Sequence, residues 1–215
     1  MQRKFLLSCG ILSSLLYVAM LIFVPMQYKG YSIVDQTISE LSAIGAPTRP
    51  LWVPLGVLYT LLIAAFGWGV AQSANNNKHL RIAGILLVVY GTIGIGWVFA
   101  PMHQREALAA GAGNLSDTMH LVMGAVSNLF MIISMAFAAA AFGSAFKVYT
   151  IATILTLLTF GILTGMRAPD VNANRPTAFI GVLEMVMLGV FFLWTVVLAM
   201  MLLQRHRDLP TYAVR

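Results

Sequence analysis

TAFIGVLEMVMLGVFFLWTVVLAMMLLQ, residues 177–204, contains a single ionisable side chain, Glu184, in a run that is otherwise almost wholly apolar. At 1.5 Å per residue, a helix of this length outreaches a hydrocarbon core of about 30 Å. A helix on a soluble protein needs a polar face, and this run offers none. It therefore reads as a membrane span. Five further apolar runs lie N-terminal to it, at 5–26, 51–73, 82–101, 118–143 and 148–166. Composition agrees: of 215 residues, 9% are charged and 60% hydrophobic, where soluble domains carry roughly 25% charged. The expected fold is all-α and membrane-integral, one domain over 1–215 built as a six-transmembrane-helix bundle with a short amphipathic helix in its first outer loop.

The first run follows Arg3 and Lys4 and could be taken for a signal peptide, but it is long for an h-region and lacks a small-x-small cleavage site. It is expected to remain as a span. With the N-terminus inside, Arg3, Lys4, Lys78, Arg81, Lys147, Arg205, Arg207 and Arg215 fall on the cytoplasmic side. Lys29, Arg49, Arg105, Arg167 and Arg175 fall outside, and the excess of cations inside fixes the expected orientation. Of the acids, only Asp208 is then inside, so the high pI describes a cytoplasmic rim suited to anionic headgroups. It is no signal for nucleic acid. The expected location is the cell (inner) membrane, multi-pass, with both termini cytoplasmic. Cys9 is the sole cysteine, which excludes an intramolecular disulfide.

The connections expected inside are short, whereas those at 27–50, 102–117 and 167–176 are long enough to carry a site. In the first, Val34, Ile38 and Leu41 recur at helical spacing, and Ser32/Asp35 and Thr37/Glu40 have the spacing of capping boxes. Gly45 and Pro47 then supply a stop, and Pro50 suits the first turn of the next helix. Residues 33–44 are therefore expected to form an amphipathic helix lying on the outer membrane surface. Asp35, Ser39 and Glu40 would occupy its polar side. Gly10, Ser13 and Ser14, and Gly84, Gly91 and Gly94, have the spacing of close helix packing in lipid.

Ionisable groups inside spans are expensive and mark candidate sites. Asp117 and His120, at i and i+3, share a face of the fourth span. Glu184 lies about 10 Å along the sixth span from Thr177. These three are the candidate acid/base groups. Arg167 and Arg175 could clamp an anionic headgroup or pair with Glu184, and His103 completes the polar ring, beside Arg105 and Glu106. His103, His120, Asp117 and Glu184 could also serve a metal, but no HxxxH or HExxH spacing supports one, and no cofactor or metal is assigned. A haem held by two histidines is rejected because only His120 lies within a helix. Ser116, Asp117 and His120 leave nucleophilic hydrolysis open, although no Gly-x-Ser-x-Gly is present.

The segment DQTISELSAIGAPTRPLW, residues 35–52, resembles the signature of the bacterial and archaeal membrane family catalogued as domain of unknown function 998. Phe99 and Pro101 closing the third span, His120 opening the fourth and GVLE at 181–184 fit the same resemblance, which covers nearly the whole chain. The family implies an Arg after the Glu of the sixth span, but Met185 stands there. Arg167 or Arg175 are left as partners for Glu184. A distant similarity of layout to the Frag/DRAM/Sfk membrane proteins points toward lipid chemistry by analogy alone. The expected function is an outer-leaflet polar pocket that binds, and in one version processes, a membrane lipid or small amphipathic molecule. The alternatives are an accessory protein that docks a membrane protein partner, and a small transporter.

Overall fold

The computed structural model describes residues 2–207; Asp208 and Arg215, assigned above to the cytoplasmic side, lie outside the described residues. Its α-helices run α1 (Gln2–Phe23), α2 (Arg49–Gln72), α3 (Lys78–Gly94), α4 (Arg105–Ala109), α5 (Leu115–Ala140), α6 (Ser144–Gly165), α7 (Ala168–Asn172) and α8 (Ile180–Arg207). Three 3-10 turns, Pro25–Gln27, Ile38–Ser42 and Ile95–Val98, complete the set. Six helices are long and apolar enough to cross a membrane, and they are the six expected from the apolar runs. The protein is a multi-pass membrane protein.

The long helices pack in sequence order, α1 on α2, α2 on α3, α3 on α5, α5 on α6 and α6 on α8, and α8 closes the ring on α1. Short turns at 73–77 and 141–143 mark one end of the bundle, the turn end; the long connections gather at the other, the loop end. Helix–helix approach follows the small residues. A Cβ added to Gly67 or Gly91 would sit 2.6 Å from backbone nitrogen of the facing helix, and one on Gly84 would strike the backbone of Ala71. Ser14 of α1 donates to the Phe192 carbonyl of α8 at 3.2 Å. The glycine and serine spacing read from the sequence is thus used for close packing.

The two ends are filled differently. Towards the turn end, Phe66, Leu87, Met135, Phe191, Trp194 and Leu198 are fully buried and leave no room inside the ring. Towards the loop end the ring is hollow.

The segment at 33–44 departs in reach and position from the surface helix expected there. Ser32 and Gln36 bond side chain to backbone, the Ser32 hydroxyl accepting the Asp35 N–H and the Gln36 carbonyl oxygen the Ser32 N–H. Such local bonds compete with helix formation, and only a 3-10 turn, Ile38–Ser42, follows. That turn does not lie on the surface. Ile38 and Leu41 are buried against Met20, Val24 and Trp52, whereas Val34 is exposed, so the three residues do not form one apolar stripe. Gly45 has φ +87°, the left-handed backbone of the predicted stop, and Pro50 falls in the first turn of α2.

Candidate functional site

The plug formed by residues 32–48 is held from three sides. Thr37 and Glu40 close the predicted capping box, the Thr37 N–H and hydroxyl both donating to Glu40 Oε2 at 2.7 and 3.0 Å. The same carboxylate takes a bidentate fork from Arg105, Nε to Oε1 at 2.7 Å and Nη2 to Oε2 at 2.8 Å. Gln36 adds a further bond at 2.9 Å. The Glu40 side chain is 0% exposed, and the pairing satisfies what would otherwise be a costly buried charge. Burial alone would raise the Glu40 carboxyl; the Arg105, Gln36 and Thr37 hydrogen bonds outweigh it and hold it below the usual carboxylate range. The hydrogen bonds to Glu40 in turn push the Arg105 guanidinium further up. Tyr31 is also pushed up, chiefly by burial, and its neutral hydroxyl donates to the Thr37 carbonyl.

From Arg105, Nη1 reaches the Thr177 hydroxyl, which in turn donates to the Asp35 carbonyl at 2.7 Å. Asp35 itself accepts the Phe179 N–H and the Ser32 hydroxyl, and no arginine approaches it among the described residues. Arg49 donates to the Ser42 carbonyl, and the backbone at Ile44 pairs with the 102–103 segment. Gly181 has the carbonyls of Ile33 and Gln36 pressed against it, so the plug rests on the first turn of α8.

Glu184 meets the plug at depth. Its Oε2 accepts the Ile38 N–H at 2.5 Å. No cation lies within salt-bridge distance of it among the described residues. The expected pairing with Arg167 or Arg175 does not form, because both are drawn to Asp170 on the exposed rim, at 3.7 and 2.7 Å. Their side chains are 48% and 61% exposed.

The two histidines are used separately. His103 pairs with Asp117 at 2.9 Å, and Asp117 also accepts the backbone N–H groups of His103 and Asn114. Asp117 is thereby committed to capping α5 and tying the third connection down. His120, one turn further in, is buried. Its Nδ1 lies 2.8 Å from the Ala100 carbonyl and its Nε2 2.9 Å from Ser39 Oγ. A carbonyl can only accept, so Nδ1 carries hydrogen, and in the neutral ring Nε2 is left to accept from the Ser39 hydroxyl. Trp97 packs edge-on against the imidazole at 4.7 Å and fixes its plane.

Ser39, His120 and Glu184 all line the hollow of the bundle. Two adjoining cavities of about 500 and 570 Å³ share these three residues together with Leu121, Thr164 and Gly165. The larger runs inward between Trp52, Tyr59, Tyr90 and Trp97 to Ser127 and Asn128. Asn128 lies about 20 Å along α5 from Leu115. The smaller emerges between α5 and α6, the most sparsely packed neighbours in the ring, past Leu121, which is 54% exposed. Ser127 Oγ, Asn128 Oδ1 and Thr164 Oγ1, all on this lining, are buried without a hydrogen-bond partner. Buried polar groups are normally satisfied; Tyr149 Oη and Thr195 Oγ1, which line neither cavity, share this condition. Among the described residues there is no cluster of three or more His, Cys, Asp or Glu side chains able to hold a metal.

The family model for "Protein of unknown function (DUF998)" matches residues 11–201. The chain belongs to the DUF998 family. No curated protein and no solved structure matches it. The stretches that carried the DUF998 resemblance meet at this site: Ser39 with His120, Ile38 with Glu184, and Gly181 against the plug. Sequence reasoning missed Arg105 as the partner of Glu40, since four arginines, Arg49, Arg105, Arg167 and Arg175, were available on that side and nothing in the sequence ranked them.

Proposed function

We propose that this protein binds a lipid or another small amphipathic molecule in the hollow half of its bundle, from the outer leaflet of the cell membrane. The supporting observation is a cavity reaching from an opening between α5 and α6 to the middle of the bundle, with Ser39, His120 and Glu184 at one end and Ser127 and Asn128 at the other. Aromatic and aliphatic residues dominate the rest of the lining, with Ser42, Thr60 and several glycines among them, as suits an acyl or isoprenoid chain. A polar headgroup would sit against Ser39, His120 and Glu184.

The loop end faces outward in this reading, as the excess of Lys and Arg at the turn end favours. Arg167 and Arg175, which are exposed and line neither cavity, would meet an anionic headgroup at the surface rather than clamp it inside. Transport is the weaker reading, because dry packing around Phe66, Phe191 and Trp194 stands between the cavity and the turn end. The accessory role is weaker too: a plug that served only to staple the loops would not need a hollow behind it.

Native mass spectrometry of gently solubilised protein tests the proposal. A lipid-sized adduct is expected on the wild type and a reduced one on Glu184→Gln. An adduct-free wild type, or equal retention by both proteins, overturns it.

A further inference from the structure

Ser39 stands between two anchored neighbours. The Ile38 N–H is held by Glu184 and the Glu40 carboxylate by Arg105, so the backbone that carries the Ser39 hydroxyl is fixed on both sides. On the facing helix, His120 is held by the Ala100 carbonyl in the tautomer whose free lone pair points at Ser39 Oγ, and by Trp97 against its ring. This is the relation of a hydroxyl nucleophile to an oriented base: proton acceptor within hydrogen-bond reach, and its second nitrogen fixed by another group. Both members face the cavity rather than sealed protein. Packing alone would not require that exposure.

Resting on the binding reading above, we infer that Ser39 and His120 form a nucleophile–base pair for acyl transfer from an ester-bearing amphipathic molecule held in this cavity. Ser39 Oγ bonds to the carbonyl carbon as its proton passes to His120 Nε2. The bond to the alcohol oxygen then breaks, the leaving oxygen takes that proton, and the acyl group stays on Ser39. Water is the second substrate. It adds to the acyl carbon while giving a proton to Nε2, and Ser39 Oγ departs and recovers the proton. The net change is ester plus water to carboxylic acid plus alcohol. Glu184 touches the plug through Ile38 and is in this scheme a positioning residue.

The test uses the full-length protein in mild detergent, treated with a long-chain alkyl fluorophosphonate, which phosphonylates base-activated serines with loss of fluoride. Intact-mass and peptide mapping should find a single adduct, on Ser39. His120→Gln, which can still bond to Ala100, should slow labelling about 100-fold or more, while Ser39→Ala, shown to be folded by a Tm near that of the wild type, should abolish it. If His120→Gln does not fold, the Ser39→Ala comparison stands by itself. An adduct at another serine overturns the inference. An unlabelled wild type that still retains lipid overturns the nucleophile and leaves the binding site standing; one that neither labels nor retains lipid overturns both.

Discussion

The turn half and the loop half of this bundle are built from the same six helices, yet they solve opposite problems. In the turn half, glycines let α2 and α3 meet backbone to backbone, and Phe66, Phe191 and Trp194 fill the ring. In the loop half the ring stays hollow, and the plug that covers it is held by polar bonds from two other connections and from α8. The contrast teaches that the polar residues here are not scattered decoration. They brace a cover over a cavity, and the energy of the dry half leaves the hollow one free to stay open.

The contrast can be broken at its strongest point first. Arg105→Ala leaves the Glu40 carboxylate buried without its fork, at a cost of about 3–5 kcal/mol, and should lower Tm in detergent more than any rim substitution. A Tm within the error of wild type would mean that the plug is not braced by this pair. Next comes packing in the dry half: Gly84→Ala forces a methyl into the Ala71 backbone and should cost about 1–3 kcal/mol. Gly56→Ala, on the cavity wall with nothing near its added Cβ, should be neutral or stabilising by up to about 1 kcal/mol. Thermal melts of the two variants side by side would sharpen the difference between halves, and equal losses would erase it.

Acid provides a gentler probe. Glu40 is lowered in the fold by its hydrogen bonds, so its contribution is fully present above its ordinary range and is lost as pH falls through the lowered folded value. Tm of the wild type should decline over that acidic window, and the decline should be shallower in Glu40→Gln. The smallest effect is expected on the rim, where Arg175→Ala breaks an exposed pair with Asp170 worth about 0–1 kcal/mol. It should leave Tm and lipid retention almost unchanged.

The spans were legible because hydrophobic runs of about 20 residues have one economical solution in a bilayer. The Thr37/Glu40 box was legible because both partners lie within one turn. The plug was not. Its helical apolar pattern suggested a surface helix, but Ser32 and Gln36 claim backbone groups locally, and Glu40 is pulled inward by an arginine 65 residues away. His120 and Glu184 were found as ionisable groups inside spans, yet their partners, Ser39 and the Ile38 N–H, are separated from them by 81 and 146 residues. Pairings of that reach depend on tertiary geometry, which no local spacing encodes.

The central claim is that the hollow half holds an amphipathic molecule. Gly56 lies on the cavity wall with open space beside it, so Gly56→Phe can fill the cavity without displacing backbone. Native mass spectrometry of wild type and Gly56→Phe, purified identically, tests the claim most directly. A lipid-sized adduct that is present on the wild type and lost from a Gly56→Phe protein of unchanged Tm is the predicted result, and equal retention by both would contradict it.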